Sequence, residues 1–291
     1  MAQRRKDVAN IPVMTLSHRV LLLGTVLAPA AGAQNPEAVR SERTEFAEWL
    51  ATSAVSPWRA VVVRPIGPGL TLGPASADIP LAGIPAGRIG ERGGRIVLSS
   101  GAREIGLARG RVQTVEGWPL IVNGPPGRAT LTVFGREAVK GKSVSHYPYD
   151  PRLVFVVTLR PAARAGTQTL LTPDGVEAVA DNAGTVQVSL GGPARTLQVK
   201  RLPGAIADES ELEIYFRDGT AGRGSYPAGR FVSLLPRADG RYILDFNRAR
   251  NPFCAYNTVY PCPAPWSGNN LPDAVKAGER YEGGGLEVKL P

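Results

Sequence analysis

Two cysteines, four prolines, five asparagines and two arginines crowd DFNRARNPFCAYNTVYPCPAPWSGNN, residues 245–270. Asp245 and Asn247 alternate with Leu244 and Phe246 at what reads as a strand end, so the polar pair shares one face and the apolar pair the other. Arg248 and Arg250 follow, and Arg230, closing SYPAGR, offers a planar fork that grips a carboxylate through paired hydrogen bonds. Three uses fit these residue types. In the first, Arg230, Asp245, Asn247, Arg248 and Asn251 form a preorganised pocket for a small polar or anionic ligand. In the second, Asp245 and Glu279 are a carboxylate pair for hydrolysis, as in glycoside cleavage, with Arg230 orienting an anionic group and Tyr226 donating a proton. The third is internal: Asp245 pairs with Arg230 or Arg248 while the asparagines cap backbone groups left bare by a proline-broken loop.

Cys254 and Cys262 are the only cysteines. Zinc would need two further ligands, and one histidine is not enough to supply them, so a disulfide is expected and a metal site is not. Closing so short a loop removes roughly 2.5 kcal/mol of unfolded-chain entropy on the simple loop model. A redox pair is the weaker alternative, because C-x-x-C spacing and an adjacent helix start are both missing. His146 is the single histidine beyond residue 33, which excludes three-histidine zinc sites and H-E-x-x-H proteases. SHYPYDPR sets that imidazole close in sequence to Asp150, the one arrangement that would serve a serine hydrolase, but no G-x-S-x-G elbow is present. There is likewise no phosphate-cradling glycine loop with a lysine, and no cofactor is expected.

The elements that must position these groups are mostly strands. From Trp58 onward, short β-branched or aliphatic runs such as RAVVVRPI, GRIVLSS, RATLTVFG, TVQVSL, RTLQVKRL, ELEIYFRD, RFVSLL and RYILDF are separated by Gly, Pro, Asn and Asp. This punctuation predicts antiparallel hairpins in a sandwich or open barrel, a mainly β fold. No stretch between residues 60 and 240 carries the helical stripe that a parallel crossover needs. Before the strands, Val39, Phe46, Trp49 and Leu50 recur at helical spacing, predicting an N-terminal helix within residues 34–56. LPDAVKAGER, with Pro272 placed to start a helix and Gly278 to stop it, predicts a short C-terminal helix, and LEVKL a last strand. Residues 57–291 are expected to form a single antiparallel β domain.

Residues 1–33 read as a cleaved leader. Arg19 precedes the apolar run from Val20 to Leu27, and Ala31-Gly32-Ala33 supplies the small-residue site, so cleavage before Gln34 and a periplasmic or secreted location are expected. Met14 is a second candidate start, and no membrane span is expected after cleavage. Losing four basic residues and one acidic residue takes the formal charge from +9 to +6. The charges that remain are scattered, with no five-residue basic run, so nucleic acid is not an expected partner.

Two segments resemble the bacterial domain of unknown function 1684 family. In FRDGTAGRGSYPAGRFV the likeness runs through Phe216, Asp218, Thr220, Gly222, Tyr226, Gly229 and Arg230. In residues 244–280 it runs through Leu244 to Asn247, Ala249, Asn251, Pro252, Cys254, Ala255, Cys262, Pro263, Asn269, Leu271 and Ala277 to Glu279. The chain departs from the family pattern at Ser225, where Thr is usual, at Arg250, in place of Tyr, and over Ala264 to Gly268. The family motif is placed at 216–280, and the resemblance implies no activity.

Overall fold

The computed structural model describes residues 11–12, 35–203 and 210–283. The expected leader lies outside the described residues apart from Ile11–Pro12, and so does the expected last strand LEVKL. The chain is mainly β with antiparallel sheets, and contacts divide it into two compact units, Met1–Thr15 with Leu50–Lys140 and Leu16–Trp49 with Gly141–Pro291.

In the first unit, Arg111–Val115, Trp118–Asn123, Thr130–Phe134 and Ala60–Pro65 pair in that order, with Ile11–Pro12 on the edge beside Arg111–Val115. A second sheet runs Ile79–Pro80, Leu70–Gly73, Gly87–Arg92, Arg95–Ser100, Arg103–Leu107. One apolar cluster draws on both sheets, including Ile89, Ile96 and Leu98 from one and Leu120, Leu131 and Val133 from the other. Gly87–Arg92 is not legible as a strand in the sequence, because GRIGER carries more glycine and charge than β-branched residues.

The second unit contains an antiparallel sheet ordered Val154–Val157, Tyr242–Asp245, Arg230–Pro236, Ser210–Phe216, Ala194–Pro203, Glu177–Ser189. Arg160–Pro161 and Thr167–Leu171 both pair with Glu177–Ser189. The runs VEAVA and TVQVSL join into that one long strand through a bulge between Asn182 and Gly184. Gly184 has φ +141°, and a Cβ there would collide with the Arg160 carbonyl oxygen, so only glycine lets the crossing strand approach.

Strand alternation sorts this sheet's residues onto two faces. Ile214, Phe216, Val232, Leu234, Leu244 and Phe246 enter one core, where the Phe216 and Phe246 rings meet edge to face at 5.2 Å. Tyr215 and Phe231 stack at 4.0 Å on the other face and are covered by Trp266 of the proline-rich loop. Asn269 fixes that loop to the sheet as a strand would: its Oδ1 accepts from the Gln198 N–H at 2.7 Å, and its Nδ2 donates to the Gln198 and Tyr215 carbonyls at 3.0 and 2.9 Å.

The N-terminal helix is Pro36–Thr52, capped by Asn35, whose Oδ1 accepts from the Ala38 N–H at 2.9 Å. The short C-terminal helix expected in LPDAVKAGER is not formed; residues 271–280 have no helical turn, and the 3-10 turns Phe246–Arg248 and Phe253–Ala255 precede them. Its backbone is bonded elsewhere. The Val275, Ala277 and Glu279 carbonyls accept from Arg230, the Val275 N–H donates to Asp218, and the Glu279 N–H donates to the Ala249 carbonyl. A helix opening at Pro272 would need the Val275 N–H for its first i to i−4 bond, and Asp218 has taken it.

Candidate functional site

Arg230 opens its strand opposite Phe216 and is completely buried. Its Nη1 donates to the Ala277 and Glu279 carbonyls, and its Nη2 to Val275 O at 2.8 Å and Asp218 Oδ1 at 3.2 Å. The guanidinium lies 5.4 Å from the Phe216 ring centre. Burial lowers its pKa, and the Asp218 carboxylate opposes that shift. Asp218 is saturated in turn: its Oδ2 accepts from the Thr220 N–H and hydroxyl and from the Val275 N–H at 2.7 Å. Arg230 therefore pairs with Asp218 rather than with Asp245, and it clasps the last described segment to the sheet.

Asp245 lies beside Asn247, but the strand ends at Asp245 and the contact is made as Asp245 caps the 3-10 turn Phe246–Arg248. Its Oδ1 accepts from both the N–H and the Nδ2 of Asn247 at 2.9 Å, and Arg248 Nε approaches its Oδ2 at 3.4 Å. Burial raises its pKa, with the Asn247 bonds working against the shift. Asn247 binds the backbone of Asp150 on both sides, accepting at 2.8 Å and donating at 2.9 Å. Arg248 reaches the N-terminal helix through Glu42 at 3.0 Å, and Arg43 of that helix donates to the Tyr147 and Asn247 carbonyls. Asn247 thus holds the 141–150 segment, Arg248 holds the helix, and Arg43 joins the helix to both, an assembly invisible to local spacing because its members lie about 100 to 200 residues apart.

Glu279 is the least satisfied member of the group. It is 1 % exposed, its Oε2 accepts from the Tyr256 hydroxyl and from the Asn251 N–H at 2.9 Å, and its Oε1 has no hydrogen-bond partner among the described residues. Burial pushes its pKa up to about 7, against the pull of the Tyr256 and Asn251 bonds and of Arg250 and Arg230. Asn251, 4 % exposed, donates to Arg280 O at 3.1 Å while its Oδ1 also lacks a partner. Tyr256 and Arg43, both part of this neighbourhood, were not singled out from the sequence; no spacing links them to Glu279.

Two candidates stand away from the acid–base roles considered for them. Tyr226 packs edge-on against Tyr281, and its hydroxyl lies 3.3 Å from Cys262 Sγ; burial raises its pKa to about 12. His146 is bridged through its backbone to Glu279, and burial, then the nearby Arg43 charge, lowers its pKa to about 4. Asp150, four residues further along, gives its carboxylate to Arg152 at 2.8 Å.

Cys254 and Cys262 form a disulfide, with Cα atoms 5.5 Å apart. It closes the loop that carries Tyr256 and Tyr260, and the Phe253 ring meets both tyrosines edge-on. Among the described residues no group of three or more His, Cys, Asp or Glu side chains could hold a metal ion, and no helix is long and apolar enough to cross a membrane.

Residues 141–280 match the family described as protein of unknown function (DUF1684), a span that contains nearly all of the clasp and the disulfide loop. An uncharacterised protein of Haloarcula marismortui, known from a solution NMR structure, is 36 % identical over 48 % of this chain and 76 % of its own, with a TM-score of 0.41. No curated protein matches the chain. On the match over residues 141–280, and with Asp218, Arg230, Asp245, Asn247 and Glu279 all inside it, this chain belongs to the DUF1684 family of proteins of unknown function.

Proposed function

We propose that the chain is a non-catalytic binding module of an exported protein, taking a small polar ligand at the Glu279 and Asn251 end of the cluster. The observation that carries this reading is the pair of buried acceptors, Glu279 Oε1 and Asn251 Oδ1, that have no partner among the described residues. A buried polar atom left unpaired costs roughly 1–3 kcal/mol, so two in adjoining side chains favour any ligand that brings donors to them. Asp245, Asn247 and Asp218 have their hydrogen bonds taken up internally and act as frame. A thermal-shift screen of sugars, organic acids and nucleotides is expected to find a stabilising compound whose effect disappears in Glu279→Gln. If no compound raises the melting temperature, the ligand reading fails.

A purely structural role is the second reading, supported by the complete burial of Arg230 and its bonds to three backbone carbonyls. Hydrolysis by Asp245 and Glu279 has less support, since Asp245 Oδ1 is held by Asn247 and Oδ2 faces Arg248. Export is supported by the charged-then-apolar run ending in Ala31-Gly32-Ala33 and by the Cys254–Cys262 bond, which suits an oxidising compartment. The mature protein recovered from the secreted or periplasmic fraction is expected to begin at Gln34; a chain that keeps its first residues and stays in the cytoplasm would refute export.

A further inference from the structure

Tyr256 links the polar end of the site to an aromatic face. Its hydroxyl bonds Glu279, while its ring meets Phe46 at 6.0 Å and Phe253 at 6.2 Å, both edge to face. Phe46 and Trp49, one helical turn apart, lie nearly parallel with ring centres 5.9 Å apart, and Trp49 reaches Phe253 at 6.3 Å. All four rings are partly exposed. Partly exposed aromatic rings joined through Tyr256 to buried, unpartnered acceptors suit a ligand with an apolar ring face and hydroxyls on its edge.

Each guanidinium around the site already meets an acceptor of the protein. Arg230 faces Asp218, Arg248 faces Glu42 and Asp245, Arg250 faces Glu213 at 3.3 Å, and Arg280 faces Glu282 at 3.1 Å. Arg43 is bonded to the Tyr147 and Asn247 carbonyls. An incoming carboxylate or phosphate would set its own acceptor oxygens against Glu279 Oε1 and Asn251 Oδ1, whereas a hydroxyl donates to both without breaking any of these pairs. Resting on the reading that Glu279 and Asn251 receive a ligand, we infer that the ligand is a neutral, polyhydroxylated ring of the hexose kind, with its C–H face on Trp49 and Phe46 and its hydroxyls on Glu279 and Asn251.

The test titrates the full chain with D-glucose, D-galactose and N-acetyl-D-glucosamine, and with citrate and AMP as anions, following tryptophan fluorescence and melting temperature. At least one neutral sugar is expected to give a saturable fluorescence change and, near a hundred times its dissociation constant, to raise the melting temperature by about 5 °C. Trp49→Ala and Phe46→Leu are expected to weaken that binding at least roughly tenfold, the factor equivalent to about 1.4 kcal/mol, which stacking on an aromatic side chain supplies. Phe46→Leu serves as the readout if Trp49→Ala does not fold. A response to citrate or AMP that Glu279→Gln abolishes, with none to any sugar, overturns the neutral-ring inference and leaves the Glu279 site standing. A sugar response unchanged in both aromatic variants overturns the inference as well, and silence from all five compounds removes both.

Discussion

Replacing Arg230 with methionine is expected to lower the unfolding free energy by about 3–5 kcal/mol, read from urea denaturation as a shift in midpoint. Methionine matches much of the volume and adds no charge, so lost packing alone would cost little. The cost comes from the groups left behind. Val275, Ala277 and Glu279 would each have a carbonyl with no donor, and the buried Asp218 carboxylate would lose its cation. Replacing a whole ion pair with apolar residues is often neutral, but removing one partner is not. Arg230→Lys is the informative companion. A single ammonium keeps the charge but cannot serve three carbonyls and a carboxylate at once, so it is expected to recover less than half of the loss. If Arg230→Met stays within about 1 kcal/mol of the parent, the clasp is not what holds residues 275–279.

What the sequence disclosed follows the range of the interactions involved. Leu244 and Phe246 against Asp245 is a two-residue period, and the two apolar side chains do lie in one core while Asp245 turns to Asn247. The helix at 36–52 was legible from a pattern repeating within four residues, and the disulfide from a separation of eight. The partner of Arg230 was not. Asp218 lies 12 residues away and the carbonyls 45 to 49, and no local periodicity distinguishes Asp218 from Asp245 as the carboxylate that meets the guanidinium. A distant bond likewise works against the expected C-terminal helix that did not form: Pro272 and Gly278 are correct punctuation, but Asp218, 57 residues away, claims the Val275 N–H that the helix's first i to i−4 bond would use. Gly278 instead adopts φ +74° where its backbone runs against Ala249 and Phe246, a fit that any Cβ would obstruct.

Glu279 and His146 pull stability in opposite directions with pH, and the two slopes are expected to mask each other in the parent protein. Burial raises the pKa of the Glu279 carboxyl from its ordinary value of 4.5 to about 7. Between those values the folded state holds a proton that the unfolded chain has lost, so stability is fully present below pH 4.5 and falls as pH rises toward 7. The displacement corresponds to about 3 kcal/mol. His146 has its pKa lowered from 6.5 to about 4, by burial first and by Arg43 second. There the unfolded chain holds the extra proton, so that contribution is present above pH 6.5 and is lost as pH falls toward 4. From about pH 4.5 to 6.5 one residue loses stability with rising pH while the other gains it, so their two slopes cancel in the parent curve. Single substitutions separate them. The Glu279→Gln variant is expected to grow steadily more stable from pH 4.5 to 6.5, and its stability relative to the parent to improve by about 3 kcal/mol between pH 4.5 and 7.5. His146→Asn is expected to show the reverse slope, losing stability over the same interval because the Glu279 proton is then unopposed. Urea denaturation of all three proteins at four pH values measures this. Parallel curves for the parent and Glu279→Gln would mean that the buried carboxyl titrates near its ordinary value, and that it lies in contact with water or with a compensating charge.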